Sequence, residues 1–210
     1  IEDILNKTTV YIVPMVNPDG IELSIKGVVA NDSRYKQLIV YNNNSTDFRK
    51  WKANSRGVDL NRNYDAKWNE YKKVEKKMGI NGPWFELYGG EYPESEPETK
   101  AIVNYTKQEK FDMVLAYHTQ GQVIYWDFEG LCSDSGKEMA KKLAKASRYC
   151  LDIPAPNATY AGYKDWFIQE FRKPGYTIEC GLGENPLPIT QFNQIYNDNF
   201  ELLFTAIWGE

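Results

Sequence analysis

Apolar and polar positions along this chain alternate between strand-length runs and stretches with helical spacing. Thr8-Thr9-Val10-Tyr11-Ile12-Val13-Pro14-Met15-Val16 is β-branched and aromatic and continuously apolar, which predicts a central strand buried on both faces. Asn17-Pro18-Asp19-Gly20 then carries turn chemistry at every position. From Ile21 to about Asp47 the pattern is irregular, with Asn42-Asn43-Asn44-Ser45 as a loop. A short strand is expected over Val58-Asp59-Leu60-Asn61-Arg62-Asn63-Tyr64, ending in a polar cluster. Lys67 to Lys77 is charged and reads as a surface helix or a lysine-rich loop, with a solvated face preferred.

Tyr88 to Pro93 is a loop, and Ser95-Glu96-Pro97-Glu98-Thr99 predicts a helix start with Ser95 as N-cap and Pro97 in the first turn. That helix runs to about Gln108. The stretch Phe111 to His118 is a strand ending in the only histidine of the protein, followed by Thr119-Gln120-Gly121. Val123 to Phe128 reads as a further strand, and Ser135 to about Tyr149 as a helix with Met139, Leu143 and Ala146 on one face. Asn157 to Tyr163 is a loop, and Lys164 to Phe171 a short helix that stops before Pro174. A strand over Gly175 to Gly181 delivers Glu179, and Pro186 and Pro188 punctuate the loop before a last amphipathic helix from about Ile189 to Trp208. Strands alternating with helices predict an α/β fold: a mixed, mostly parallel sheet sandwiched between helices, in one domain over residues 1–210.

Length suits one domain with a substantial core. The net charge of −4 is mild and mixed, so neither nucleic acid nor an anionic membrane surface is implied as partner. No apolar run approaches the roughly 20 residues of a membrane span, and no signal peptide is visible. Cys132, Cys150 and Cys180 lack CxxC spacing, which argues against a disulfide scaffold or a cysteine-rich zinc site, while one disulfide stays open.

The chemistry sits at two strand ends. In an open α/β sheet, ligands collect beyond the carboxyl ends of the strands, where His118 and Glu179 are expected. His118 suits a metal ligand and Glu179 an acid/base. A hydrolytic zinc site needs three protein ligands and an open position for water, with a carboxylate as general base. A second histidine is lacking here, so by its residues alone the chain builds half of a metallohydrolase site. Asn61 and Arg62 suit a substrate carboxylate, Arg through its bidentate fork and Asn through an added donor. Their bland reading is a surface arginine paired with Asp59 or Asp65.

Asn17-Pro18-Asp19-Gly20, Gly57-Val58-Asp59-Leu60-Asn61-Arg62-Asn63, Ser95-Glu96-Pro97-Glu98-Thr99, the His118 strand, Asp165-Trp166 and Thr177-Ile178-Glu179 occur in one order and spacing. That series resembles the zinc metallocarboxypeptidase family, with the carboxypeptidase A-like fold. Trp51-Lys52-Ala53-Asn54, Ala116-Tyr117-His118-Thr119-Gln120-Gly121 and Tyr160 to Gln169 look like its bacterial branch of γ-D-glutamyl-L-diamino acid endopeptidases. The resemblance implies a zinc-dependent peptidase that hydrolyses peptidoglycan stem peptides at the γ-D-glutamyl–diaminopimelate bond, by Glu-assisted attack of zinc-bound water. It implies His118 as a zinc ligand, Glu179 as catalytic base, and Asn61 with Arg62 on the substrate's free carboxylate. Lys52 falls where the family carries an arginine that polarises the scissile carbonyl, and lysine lacks that residue's fork. Tyr160 and Tyr163 are the candidates for the family's mobile tyrosine.

The same resemblance sets an expectation about the start. The family's His-x-x-Glu, which supplies two zinc ligands, lies upstream of the Val10–Val16 run and is not in this chain. The expectation is either a longer parent enzyme, of which this is the larger C-terminal part, or a truncated, zinc-poor protein. A non-catalytic peptide- or muropeptide-binding module that keeps Asn61 and Arg62 is the alternative from another class. A glycosidase using Glu91 and Glu179 is permitted by composition but not by the motif order. Peptidoglycan peptides occur both in the bacterial wall and in the cytoplasm, so compartment stays open.

Overall fold

A computed structural model of the chain describes residues 6–155 and 159–209. Within these the chain forms two compact units, one of residues 6–14, 112–154 and 167–209, the other of residues 15–111, 155 and 159–166.

The first unit is built on a four-stranded sheet. Strand β1 is Val114–His118, β2 Val123–Tyr125, β3 Cys150–Asp152 and β4 Gly175–Glu179, in the order β1-β4-β2-β3. β1 pairs parallel with β4, β2 parallel with β3, and β2 antiparallel with β4, so the sheet is mixed and mostly parallel as expected. Two long helices complete the unit: Asp134–Ser147, capped by the Ser133 hydroxyl accepting from the Gly136 N–H at 3.1 Å, and Phe192–Trp208. Strand alternation decides which side chains meet them. Ile124, Tyr176, Ile178 and Cys180 form one buried cluster with Ala140, Leu143, Tyr149 and Leu202, and Leu115 packs against it. At about 25 cal/mol per Å² of apolar area removed from water, each large aliphatic side chain of the cluster (Ile124, Leu143, Ile178 and Leu202) contributes about 1.5–3 kcal/mol. Val114, Ala116, His118, Thr177, Glu179 and Tyr125 lie in the alternate register and leave the sheet on its other face.

The second unit holds helices α1 (Pro18–Lys26), α2 (Tyr35–Tyr41), α3 (Trp68–Lys77) and α4 (Pro97–Glu109), and a 3₁₀ turn over Leu60–Arg62. Its core gathers Leu23, Leu38, Phe48, Trp51 and Ala53. In chain order the long helices of the sheet unit are α5 (Asp134–Ser147) and α7 (Phe192–Trp208), and between them α6 (Tyr163–Phe171) carries the chain from the second unit back into the first.

Several local expectations are corrected. Thr8 to Val16 is not a strand: residues 8–16 take no regular structure, and Val10, Tyr11, Ile12, Val13, Met15 and Val16 are exposed. A β-prone run becomes a strand only where another strand pairs with its backbone, and the described residues offer it none. Asn17-Pro18-Asp19-Gly20 opens α1 instead of a turn. The Asn17 side chain accepts from the Gly20 N–H at 3.0 Å, Pro18 stands in the first turn and Asp19 faces the positive end of the dipole. Those residue types serve a cap as readily as a turn. The irregular stretch to Asp47 holds α1 and α2.

The strand expected over Val58–Tyr64 is a 3₁₀ turn, because the Asp59 carboxylate accepts from the Asn61 N–H at 3.1 Å and folds the backbone locally. Trp68–Lys77 is a helix, and Trp68, Tyr71 and Glu75 on it are buried, so its face is not simply solvated. The helix after Ser95 starts at Pro97 with Glu96 in the cap position. β3 had no expectation attached to it. Of the expected 157–163 loop, residues 157 and 158 lie outside the described residues. No disulfide links Cys132, Cys150 or Cys180. No helix among the described residues is long and apolar enough to cross a membrane.

Candidate active site

In the sheet unit, His118 and Glu179 are register partners on neighbouring parallel strands, at the carboxyl ends of both. Neighbouring strands lie about 4.8 Å apart, and register partners project to the same face, so the imidazole and the carboxylate leave the sheet side by side. Both are half-buried. The Cys180 N–H donates to the His118 carbonyl at 2.8 Å, continuing the ladder past the pair. Val123 of β2 is the partner of Glu179 on its other side, and Tyr125, two residues on, faces the same way. The Tyr125 phenol is held above its ordinary pKa by burial and by the negative charge of Glu179, with a smaller push from Asp152. Tyr125 is not among the site residues expected from the sequence, although period-two spacing from Val123 places it on the Glu179 face.

In the second unit, Asn61 and Arg62 stand on the 3₁₀ turn beside the loop that carries Tyr160 and Tyr163. The Tyr64 N–H donates to the Ala161 carbonyl at 3.1 Å and the Ala161 N–H to the Ala66 carbonyl at 2.8 Å, fastening the loop to the turn. Asn61 Oδ1 accepts from the Tyr163 N–H at 3.2 Å. Arg62 Nη1 donates to the Tyr160 carbonyl at 3.2 Å, and its guanidinium lies 5.2 Å from the Tyr71 ring centroid. The loop passes close to the turn at Gly162, where a Cβ would stand 3.1 Å from Asn61 Oδ1. Thus four of the predicted substrate-binding residues are neighbours, although about 100 residues separate the two segments in sequence.

The turn is braced by groups outside the expected site residues. Asn63, fully buried, donates to the Gly89 carbonyl and the Ser95 hydroxyl, both at 2.9 Å, and accepts from the Glu96 N–H at 3.1 Å. Asp59 accepts from the Leu87 N–H at 3.0 Å as well as from Asn61. A Cβ on Gly89 would meet the Arg62 carbonyl at 2.7 Å, so only glycine lets that loop pass. The Asn-Arg-Asn run was legible, but its partners at residues 87–96 carry no local signal of that pairing.

Two predicted residues are engaged otherwise. Tyr163 shares a hydrogen bond with Thr106 at 2.9 Å, and its ring lies against Tyr64 and Trp166 at centroid distances of 5.4 and 6.0 Å. Burial raises its phenol pKa, partly offset by that hydrogen bond. Lys52 Nζ lies 3.0 Å from a Glu86 carboxylate oxygen on the exposed surface. Among the described residues no three His, Cys, Asp or Glu side chains gather to hold a metal ion, so a zinc ion does not fit on these residues alone.

Residues 1–202 match the Peptidase_M14 family, zinc carboxypeptidases. The chain is 44% identical over 203 residues to the gamma-D-glutamyl-L-diamino acid endopeptidase 1 of Lysinibacillus sphaericus, covering 97% of this chain and 50% of that protein. It is 36% identical over 205 residues to the uncharacterised protein YqgT of Bacillus subtilis, covering 98% of this chain and 54% of that one. The chain therefore spans about half the length of these curated relatives. Its fold is similar to the carboxypeptidase A of Helicoverpa armigera, with TM-score 0.63 and 16% identity over 91% of this chain and 49% of that chain. The same is true of the murein-tripeptide amidase MpaA of Escherichia coli O157, with TM-score 0.52 and 22% identity over 92% and 65%. The chain belongs to the zinc carboxypeptidase family.

Proposed function

We propose that the protein is a zinc-dependent peptidase of peptidoglycan stem peptides, cleaving the γ-D-glutamyl–diaminopimelate bond, and that residues 1–210 make the larger C-terminal part of its peptidase domain. The observation that carries the proposal is the register pairing of His118 with Glu179 at the carboxyl ends of β1 and β4. The substrate class rests on the name of the 44%-identical relative.

In this reading His118 is one ligand of a single zinc ion, and two further ligands come from outside residues 1–210. Bound zinc in such enzymes supplies Lewis-acid chemistry. Glu179 takes a proton from the attacking water and returns it to the departing amine, a transfer for which a half-buried carboxylate at a strand end is well placed. Asn61 and Arg62 hold a free carboxylate of the peptide, with Arg62 oriented by the Tyr160 carbonyl and the Tyr71 ring. Lys52 brings positive charge toward the scissile carbonyl by exchanging its Glu86 partner. Tyr160 lines the substrate position, and Tyr163 joins it only after leaving Thr106.

The test is hydrolysis of a synthetic L-Ala-γ-D-Glu-diaminopimelate peptide by the polypeptide carrying these residues, followed by mass spectrometry. Release of diaminopimelate or a peptide beginning with it supports the reading. Binding of the peptide without cleavage, in zinc-supplemented buffer, supports a non-catalytic binding module instead.

A further inference from the structure

The sheet face that carries His118 and Glu179 continues past them, and its next side chains take no part in the proposed chemistry. Two rows cross this face from β1 to β3. His118, Glu179, Val123 and Cys150 make the first. Ala116, Thr177, Tyr125 and Asp152 make the second, two residues away along each strand, or about 6.6 Å. The positions between them face the other way: Ile124 and Ile178 are fully buried in the core cluster, and Leu151 packs against it.

Ala116 and Thr177 are short, so the second row is low on β1 and β4 and rises at Tyr125 and Asp152. Tyr125 is half-buried and lies diagonally across from Glu179, about 7–8 Å away between backbones, a gap that a tyrosine side chain spans. Asp152 is exposed on the outer strand β3. Its Oδ1 accepts from the N–H of neighbouring Ile153 at 2.8 Å, and no cation pairs with it among the described residues. Burial, the charge of Glu179 and then that of Asp152 keep the Tyr125 phenol protonated. Two carboxylates flanking one aromatic ring make a surface that attracts an ammonium group.

The proposed chemistry brings such a group to this place. Glu179 returns its proton to the departing amine, so the residue that owns the amine sits against Glu179. His118 occupies the β1 side, and the side chain of that residue therefore extends the other way, across β2 toward β3. In diaminopimelate this side chain ends, beyond its methylenes, in a second ammonium with its own carboxylate. β3 lies two strand spacings from β4, about 9.6 Å, a span that this side chain and the Asp152 carboxyl bridge between them.

We infer that Asp152 and Tyr125 read the second amino group of the diamino acid: Asp152 pairs with the ammonium, and the Tyr125 ring and hydroxyl line its path. This assignment rests on the reading of Glu179 as base, and adds to it the groups that select a diamino over a monoamino leaving residue.

Three peptides test it, L-Ala-γ-D-Glu joined to diaminopimelate, to lysine or to α-aminopimelate, whose distal groups are ammonium with carboxylate, ammonium alone and carboxylate alone. Their kcat/KM values are measured in the peptidase that carries residues 1–210 and in its Asp152→Asn, Asp152→Glu and Tyr125→Phe variants. Binding of each peptide is measured by calorimetry with and without Asp152→Asn in the Glu179→Gln background, which reads recognition apart from turnover. The α-aminopimelate peptide should be the poorest substrate. Asp152→Asn should cost the two ammonium-bearing peptides about tenfold more than it costs α-aminopimelate, in kcat/KM and in affinity alike. Asp152→Glu should keep the preference, and Tyr125→Phe should weaken it less than Asp152→Asn does. If Asp152→Asn loses the circular dichroism of the folded chain, Asp152→Ser takes its place. An unaltered enzyme with no preference for the ammonium overturns the assignment, and so does a preference that survives loss of the Asp152 carboxylate. Binding that keeps the predicted ranking while none of the three peptides is cleaved overturns the peptidase reading and supports the recognition.

Discussion

The two groups of candidate residues, one in each unit, are held by different means. His118 and Glu179 owe their adjacency to backbone register: two parallel strands, paired from Val114↔Gly175 through His118↔Glu179, bring them together whatever their side chains are. Asn61 and Arg62 owe theirs to side chains, since Asn63, Asp59 and Asn61 itself tie the turn to loops at 87–96 and 160–163. Backbone-held pairs tolerate substitution of the reacting residues. Side-chain-held cradles fail when one buried amide is lost.

That contrast orders the predictions. Asn63→Ala leaves the Gly89 carbonyl, the Ser95 hydroxyl and the Glu96 N–H to find other partners in a buried place, and should cost about 3 kcal/mol in urea unfolding. His118→Ala and Glu179→Gln should each change the same measurement by under about 1 kcal/mol, as half-buried side chains at strand ends do. A Glu179→Gln variant as unstable as Asn63→Ala would erase the distinction. Ser133→Ala, which removes the N-cap of α5, falls between them at about 1 kcal/mol.

A smaller effect concerns pH. Burial pushes the Cys180 thiol up to about 11 and the Tyr149 phenol to about 12. Both acids hold their protons longer folded than unfolded, so their contribution is complete below pH 9. It declines as the unfolded chain deprotonates above that. The thermal midpoint should therefore drop between pH 9 and 11, and less in Cys180→Ala. At pH 8 iodoacetamide should label exposed Cys150 well before Cys180, as peptide mapping would show.

What the sequence disclosed follows the same division. The His118 and Glu179 strands, α5 and α7 were legible because each is a local run with its own period. The Val10–Val16 run was equally legible as a strand and is not one, since strand formation depends on partners that a local pattern does not contain. Asn61 and Arg62 were found through their motif, whereas Asn63, Asp59 and Gly89 act across 26 to 33 residues and leave no periodic trace. Asn17 was visible as a polar residue before Pro18, and turn chemistry and cap chemistry share that signature.

The central claim is that Glu179 performs chemistry while Arg62 binds. Steady-state kinetics of Glu179→Gln and Arg62→Ala on the γ-D-glutamyl–diaminopimelate peptide, in the peptidase that carries residues 1–210, test it directly. Glu179→Gln should lower kcat by about 10²- to 10⁴-fold with KM little changed, and Arg62→Ala should raise KM with a smaller loss of kcat. An unaltered kcat in Glu179→Gln would contradict the account.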